Sequence, residues 1–116
     1  PDVVVVLDPT LLGPAVAEGI QRDTKLIVNT EESADAVRKE LGLKDVETWT
    51  VDATTLALDV LGRPITNTAM LGTLVKATDV VKLESLTAVV KSRFEGKIGE
   101  LNADLMRKTY EEAKMG

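Results

Sequence analysis

Histidine and cysteine, the side chains that most often act as imidazole base, thiol nucleophile or transition-metal ligand, are both absent from this sequence of 116 residues. Without thiolates the chain can neither ligate an iron–sulfur cluster nor form a disulfide, and without imidazole it lacks the commonest general base and metal ligand. Carboxylates, lysines, hydroxyl groups and backbone N–H groups remain. The sequence is therefore a poor candidate for a complete active site, and we expect it to bind no metal.

The residues with the best pattern for ligand binding are short polar side chains that follow predicted strands or begin a predicted helix. They are Asp8, Thr10, Asn29, Thr30, Asn67 and Thr68. Parallel sheets bind ligands beyond the carboxyl ends of their strands, and the N–H groups at a helix N-terminus receive anions. We expect weak anion binding here, because no Lys or Arg directly flanks these positions. The alternative is that these residues only cap helices, and both interpretations stay open.

Other patterns that could carry chemistry are weak or missing. Asp8 and Asp52 could form a carboxylate pair for acid–base work, but each stands where a cap is needed. The glycines never adopt GxGxxG or Walker spacing, and no serine lies in a GxSxG motif. Gly72 lies in a strongly apolar helical segment, which predicts close approach of a neighbouring backbone rather than cofactor binding.

The first half of the chain alternates between strands and helices. Two continuous apolar segments predict strands over residues 3–7 and 25–29, and a mixed segment predicts a third over residues 47–51. Thr30-Glu31-Glu32 is expected to open a helix that ends at Leu41, and Asp52 to cap the next helix. Short links between such elements are typical of a parallel α/β sheet, so these three strands are predicted to be mutually parallel.

The second half is predicted to be helical. The apolar residues recur with a period of 3.6 after Pro64, which indicates helices over about 66–77, 83–94 and 98–114. Residues 11–20 are expected to form short helical turns. The predicted fold is α/β: a single domain over residues 1–116, Rossmann-like and three-layered, with a mostly parallel sheet and C-terminal helices.

The opening strand carries an expectation of its own. Val3-Val4-Val5-Val6-Leu7 is apolar on both faces, which is typical of a strand inside a parallel sheet. Three strands are also few for such a sheet. We therefore expect that further N-terminal strands precede Pro1 in the whole protein. The uncovered valine-rich edge is expected to pair with that segment or, by self-association, with a second copy.

Charge limits the class of partner. The net charge is −5, and residues 1–58 hold 11 acids against 5 bases, whereas residues 59–116 hold 8 against 9. Nucleic-acid binding would need a basic stripe, and the single Trp, Tyr and Phe are too scattered to stack bases. No apolar run approaches the ~20 residues of a membrane span. We expect a cytoplasmic protein with neither nucleic acid nor membrane as partner.

Six segments carry a resemblance to a known family, in the same order and with the same spacing. They are PDVVVVLDPTLL at Pro1–Leu12, LIVNT at Leu26–Thr30, VDAT at Val51–Thr54, NTAMLGTLVKAT at Asn67–Thr78, LESL at Leu83–Leu86 and ADLMRKTYEEAK at Ala103–Lys114. These segments resemble the gamma subunit of pyruvate:ferredoxin oxidoreductase (pyruvate synthase) and of related 2-oxoacid:acceptor oxidoreductases. The family's glycine-rich GxGGQG-like turn is absent, so the chain resembles the C-terminal two-thirds of the gamma domain.

The resemblance implies a non-catalytic subunit of an enzyme that makes acyl-CoA and CO2 from a 2-oxoacid, with pyruvate expected, and coenzyme A, while reducing ferredoxin. In such enzymes the alpha and beta parts hold thiamine diphosphate with Mg²⁺, and cysteine-rich delta or beta parts hold the iron–sulfur clusters. The implied partners are therefore alpha, beta and delta subunits, with ferredoxin reached through the complex. The missing Cys and His of this chain agree with that division.

Two other functions remain open from the sequence. A free-standing nucleotide- or coenzyme A-binding module would bind its ligand tightly as an isolated chain. A structural interaction module would belong to some other complex. Co-purification with cysteine-rich, ferredoxin-like chains would distinguish the oxidoreductase subunit from both.

Overall fold

The computed structural model describes residues 3–8, 10, 13, 17–21, 23–79 and 81–115. They form two compact units: a strand-bearing unit that runs to Val51 and takes in the residues from Ala113, and a helical unit from Asp52 to Glu112. Of the turns expected over 11–20, residues 11, 12 and 14–16 lie outside the described residues; where the chain is described, the Ala17 N–H donates to the Gly13 carbonyl oxygen at 3.1 Å, and residues 17–18 are helical. Across the part of the chain that the structure describes, no helix is long and apolar enough to cross a membrane.

The first unit is built on a four-stranded sheet. Its strands, in spatial order, are β1 (Val3–Val6), β2 (Lys25–Asn29), β3 (Glu47–Val51) and β4 (Lys114–Met115). β1, β2 and β3 are mutually parallel, with Val3 opposite Lys25 and Lys25 opposite Glu47, and β4 runs antiparallel to β3. The predicted α/β class, the mostly parallel sheet and the three strands are confirmed, and β1 ends one residue earlier than predicted.

One face of this sheet carries the core of the unit. Leu26 and Val28 alternate along β2, both fully buried, and pack in one cluster with Val6, Val37 and Val46. Aliphatic and β-branched side chains fit a pleated surface, which is why the apolar runs form strands here. The core therefore favours one register of β2, since a shift of one residue would move Leu26 and Val28 to the opposite face, where Ile27 is fully buried.

β1 has the uncovered, valine-rich edge that the sequence predicts for this chain. Val3 and Val5 are 39% and 38% exposed, and only Val6 is buried. The physical reason is position: among the described strands, β1 is the outermost and pairs with β2 alone. An unbroken β-branched run predicts a strand, but it does not determine how many neighbours cover that strand.

The helix between β2 and β3, α1 (Ala34–Leu41), begins later than predicted. Its N-cap is Ser33, whose hydroxyl accepts a hydrogen bond from the Ala36 N–H at 3.1 Å. The expected start at Thr30–Glu32 was wrong, because Thr30 Oγ1 instead accepts from the Glu32 N–H at 3.1 Å and forms a local turn before the helix. The predicted end at Leu41 is confirmed.

The second unit consists of four helices. They are α2 (Ala53–Leu61), α3 (Asn67–Thr78), α4 (Leu83–Arg93) and α5 (Gly96–Glu112). The helices predicted after Pro64 are confirmed, but α5 begins before Ile98 and ends before Lys114. The prediction placed Lys114 in this helix and was wrong there, because Lys114 lies in β4 opposite Thr50. A strand of two residues is too short to show an apolar period.

α3 and α5 touch at a glycine. A β-carbon on Gly72 would lie closer than 3.0 Å to the carbonyl group of Met106 and to Thr109 Oγ1. Thr73 Oγ1 donates to the Thr109 carbonyl oxygen at 3.1 Å, and Thr109 Oγ1 donates to the carbonyl oxygen of Ala69. The role predicted for Gly72, close approach of a neighbouring backbone, is confirmed.

Candidate functional site

The carboxyl end of β1 carries the first two predicted ligand-binding residues. Asp8 Oδ1 accepts hydrogen bonds from the Thr10 backbone N–H at 2.9 Å and from Thr10 Oγ1 at 2.8 Å. These bonds, the backbone one first, hold the pKa of the Asp8 carboxyl below its ordinary value of 3.8, although desolvation acts in the opposite direction. Asp8 is therefore ionised at neutral pH, and its charge opposes an anion at this position.

Asn29 and Thr30 connect the ends of neighbouring strands. Asn29 is 3% exposed, and its Nδ2 donates to the Leu7 carbonyl oxygen at 2.9 Å. The Thr30 N–H donates to the Val51 carbonyl oxygen at 3.0 Å, one step beyond the β2–β3 ladder. The structure thus places Asp8, Thr10, Asn29 and Thr30 at the carboxyl end of the parallel strands, as the sequence predicted.

Asn67 and Thr68 lie in the helical unit, where they are the first two residues of α3. Thr66 is the N-cap of α3. Its side chain makes no capping hydrogen bond, and the first turn of α3 contains no acid. Neither a capping side chain nor an acidic residue in the first turn neutralises the positive end of the helix dipole. The N–H groups at the start of α3 could therefore bind an anion.

The two aspartates that could have formed a catalytic pair each have a local partner. Asp52 Oδ1 accepts from the Thr55 N–H at 3.1 Å, and Asp52 Oδ2 accepts from Thr55 Oγ1 at 2.7 Å. The predicted N-cap role of Asp52 is thereby confirmed. Asp8 is bound in the same way by Thr10. Structural hydrogen bonding accounts for both carboxylates, whereas ligand binding by the six predicted residues stays a prediction.

The structure also contains features that sequence reasoning did not single out. At the opposite end of the strands, Glu47 Oε2 accepts from Trp49 Nε1 at 2.8 Å and lies 3.6 Å from Lys25 Nζ. An open groove of about 630 Å³ is lined by Gly13, Ala17, Glu18, Glu40, Leu41, Gly42 and Leu43. Only the fold brings Glu18 and Glu40 together, so no local pattern could have indicated this groove.

Because the chain has no His or Cys, a metal site in it would need a cluster of carboxylate side chains. Within the described segments, no group of three or more His, Cys, Asp or Glu side chains has that arrangement.

Comparison with known proteins gives a match over nearly the whole chain. A family model described as pyruvate ferredoxin/flavodoxin oxidoreductase matches residues 1–112. The chain belongs to this family. The resemblance inferred from the six sequence segments is therefore confirmed, and membership in the pyruvate ferredoxin/flavodoxin oxidoreductase family covers both compact units.

Relatives within the family are named as gamma-type subunits. The chain is 48% identical over 116 residues to the pyruvate/ketoisovalerate oxidoreductases common subunit gamma of Pyrococcus furiosus, covering 99% of this chain and 63% of that protein. It is 42% identical over 118 residues to pyruvate synthase subunit PorC of Thermotoga maritima, covering 98% of this chain and 61% of that protein. The chain thus spans less than two thirds of the length of these relatives.

A solved structure has the same fold. The crystal structure of pyruvate oxidoreductase subunit PORC from Thermotoga maritima matches with a TM-score of 0.91 at 42% sequence identity. The match covers 100% of this chain and 65% of that chain. The mixed α/β fold with its mostly parallel sheet is therefore that of an oxidoreductase subunit of this family.

Proposed function

We propose that this chain is the non-catalytic gamma part of a multi-subunit 2-oxoacid:ferredoxin oxidoreductase, with pyruvate as the expected substrate. The observation that carries the proposal is the 48% identity to the common gamma subunit from Pyrococcus furiosus over 116 residues. In the proposed reaction, the 2-oxoacid anion and the coenzyme A thiol give an acyl thioester, CO2, one proton and two electrons. The electrons pass to ferredoxin, and the complex works in the cytoplasm.

The chemistry of this reaction belongs to other subunits in our proposal. Thiamine diphosphate, with Mg²⁺, supplies an electron sink for decarboxylation, and iron–sulfur clusters carry the electrons out. This sequence contains no Cys and no His, so its residues do not fit cluster ligation. We therefore assign the thiamine diphosphate to alpha and beta subunits and the clusters to delta or beta subunits, and we give this chain an architectural role.

Native purification tests the proposed function. The tagged protein, expressed in its own host, is expected to co-purify in equal amounts with cysteine-rich, ferredoxin-like chains and with the large subunits. The purified complex is expected to reduce ferredoxin only when both pyruvate and coenzyme A are present. A protein that purifies alone, or a complex without this activity on any 2-oxoacid, would contradict the proposal.

We further propose that any coenzyme A held by this chain lies with its phosphates at the strand ends near Asn29 and Thr30 or at the start of α3 near Asn67 and Thr68. Two observations support this placement. Asn29 and Thr30 lie at the carboxyl ends of the parallel strands, and the side chain of the N-cap before Asn67 makes no capping hydrogen bond. Binding is expected to be weak, because the ionised Asp8 repels phosphate.

Coenzyme A titration followed by backbone amide NMR tests this site. Shifts at residues 29–30 or 67–68 that saturate only at millimolar concentration are expected. Asn67→Asp, which adds a negative charge at the exposed helix start, should weaken any shift there. Micromolar affinity with shifts confined to residues 83–115 would show that the site is placed wrongly.

A further inference from the structure

The corner between α4 and α5 exposes apolar side chains. Val89, Phe94 and Ile98 are 49%, 39% and 57% exposed. Basic side chains share this corner: two occupy the last turn of α4, and one occupies the first turn of α5. We define the corner patch as Val89, Lys91, Arg93, Phe94, Lys97 and Ile98.

The two helix ends in this patch are held close together. A β-carbon on Gly99 would lie 2.9 Å from the carbonyl oxygens of both Lys91 and Phe94. Gly96 makes the turn between the helices with a φ of 56°, which favours glycine. The first turn of α5 therefore packs directly on the last turn of α4, and Lys97 and Ile98 belong to that first turn, three and four residues after Phe94.

The charge of the patch is opposite to that of the chain. Residues 91–97 hold three cations against the single Glu95, while the whole chain has a net charge of −5. Lys91, Arg93 and Lys97 form no ion pair with any residue that the structure describes. The negative net charge of the chain disfavours an acidic partner, whereas the local charge of the corner patch favours its approach there.

We propose that the corner patch docks an acidic segment of a partner protein, whose apolar side chain covers Phe94 and Ile98. Aromatic side chains and arginine, both present in the corner patch, are enriched at protein interfaces. Nucleic acid would need a broader basic surface, and stable attachment to an anionic membrane would need more cations than three. The proposal rests on the proposed function in one respect, because it takes the partner to be a subunit of that complex.

Carbodiimide cross-linking of the native complex tests this surface. The reagent joins a lysine amine to a carboxyl group as an amide, and the water lost in that condensation hydrates the carbodiimide to its urea. Cross-links from Lys91 and Lys97 to aspartates or glutamates of an identified partner subunit are expected. A complex in which both lysines link only within this chain would overturn the proposal.

A double variant tests the same surface by assembly. Ile98→Asp with Lys97→Glu places acids in the first turn of α5, where the helix dipole favours them, so the fold is preserved. We expect the affinity of the variant for its partner subunit, measured by equilibrium binding, to fall by a factor of about ten or more. The matched control is Ile65→Asp with Lys108→Glu, which makes the same changes at an exposed isoleucine and an exposed lysine elsewhere in the helical unit.

The outcomes separate this proposal from the proposed function. If the double variant keeps its partner as well as the control does, the corner patch is not the docking surface, while the complex itself stands. A wild-type chain that assembles with no subunit contradicts both proposals. Binding to phosphatidylglycerol vesicles or duplex DNA that the double variant loses would assign the patch to a membrane or a nucleic acid and overturn the docking of an acidic protein.

Discussion

Gly72 shows at the scale of one residue how α3 and α5 come into contact. Gly72→Ala would place a β-carbon closer than 3.0 Å to the backbone of Met106, which cannot move without moving α5. Alanine favours an isolated helix over glycine, so a loss of stability would identify the packing clash. We expect the free energy of unfolding in urea to fall by about 1–3 kcal/mol.

The control for this change is Gly13→Ala, where a β-carbon would meet no atom within 4 Å. Its effect is expected to stay within about 0.5 kcal/mol. Equal stability of the two variants would mean that α3 and α5 do not rely on a bare backbone at Gly72.

Asn29 contributes a buried donor to the end of the sheet. In Asn29→Asp, a carboxylate oxygen would replace the Nδ2 group that donates to the Leu7 carbonyl oxygen. We expect a loss of at least about 2 kcal/mol at pH 7, since two acceptors would face each other in a buried place. The fold would raise the pKa of the introduced carboxyl, so the variant should regain stability as the pH falls through that folded-state value.

Urea unfolding of the Asn29→Asp variant at pH 7 and pH 4.5 measures this recovery. Asn67→Asp is the matched control, because Asn67 is exposed in the first turn of α3, where a negative charge is favourable. A larger loss for the control than for Asn29→Asp would contradict the structural role of Asn29.

At the scale of elements, the sequence predicts what local forces determine. The boundaries of β2 follow from its apolar run, those of β3 follow from its β-branched and aromatic residues, and the capping role of Asp52 follows from the polar side chain that a helix start needs. Neighbours in space decide the rest: Ser33 rather than Thr30 caps α1, and β1 is an edge strand. β4 could not be predicted, because pairing with β3 rather than a pattern of its own makes it a strand.

The same reasoning applies to the candidate site. The sequence placed four polar residues at the ends of the strands, because parallel strands share their carboxyl edge. It could not show that Asn29 is bonded to Leu7 or that Thr66 lacks a capping hydrogen bond, since these depend on side-chain positions in the folded chain.

The caps of α2 and α3 give a prediction about helix ends. Asp52 binds the first turn of α2 through both carboxylate oxygens, whereas Thr66 makes no capping hydrogen bond with its side chain. Asp52→Ala is therefore expected to lower the free energy of unfolding by about 1 kcal/mol. Thr66→Ala should cost clearly less in the same urea titration. The reverse order would contradict the capping geometry.

The exposed residues of β1 give a prediction about strand pairing. Val5 is 38% exposed on the outermost of the described strands. A lysine on an edge strand opposes pairing with another edge, so Val5→Lys should reduce concentration-dependent self-association in sedimentation velocity. The control is Val81→Lys, at a valine that is 47% exposed in the helical unit. If both variants associate like the wild type, the β1 edge is not the pairing surface.

At the scale of the molecule, the composition separates this chain from the chemistry of its family. An enzyme that removes electrons from a 2-oxoacid needs an electron sink and a path for electrons, and cluster-based paths need thiolate ligands. The chain has no Cys or His in 116 residues and carries a net charge of −5. In the proposed function the chain contributes by contact with subunits that hold the cofactors, and its negative net charge disfavours the approach of an acidic subunit.

This gives a prediction for the isolated chain: it should oxidise no 2-oxoacid and retain no iron or zinc. The measurement is elemental analysis after incubation with each metal and desalting, together with a pyruvate- and coenzyme A-dependent dye-reduction assay. The native complex serves as the positive control, because it should contain metal and should reduce the dye. One equivalent of tightly held metal, or turnover by the chain alone, would mean that carboxylates and backbone groups provide a site here that neither the sequence nor the described residues indicate. Without such a site, loss of activity on removing this chain from the complex would have to arise from lost contacts between subunits, and would be reversed when the chain is added back.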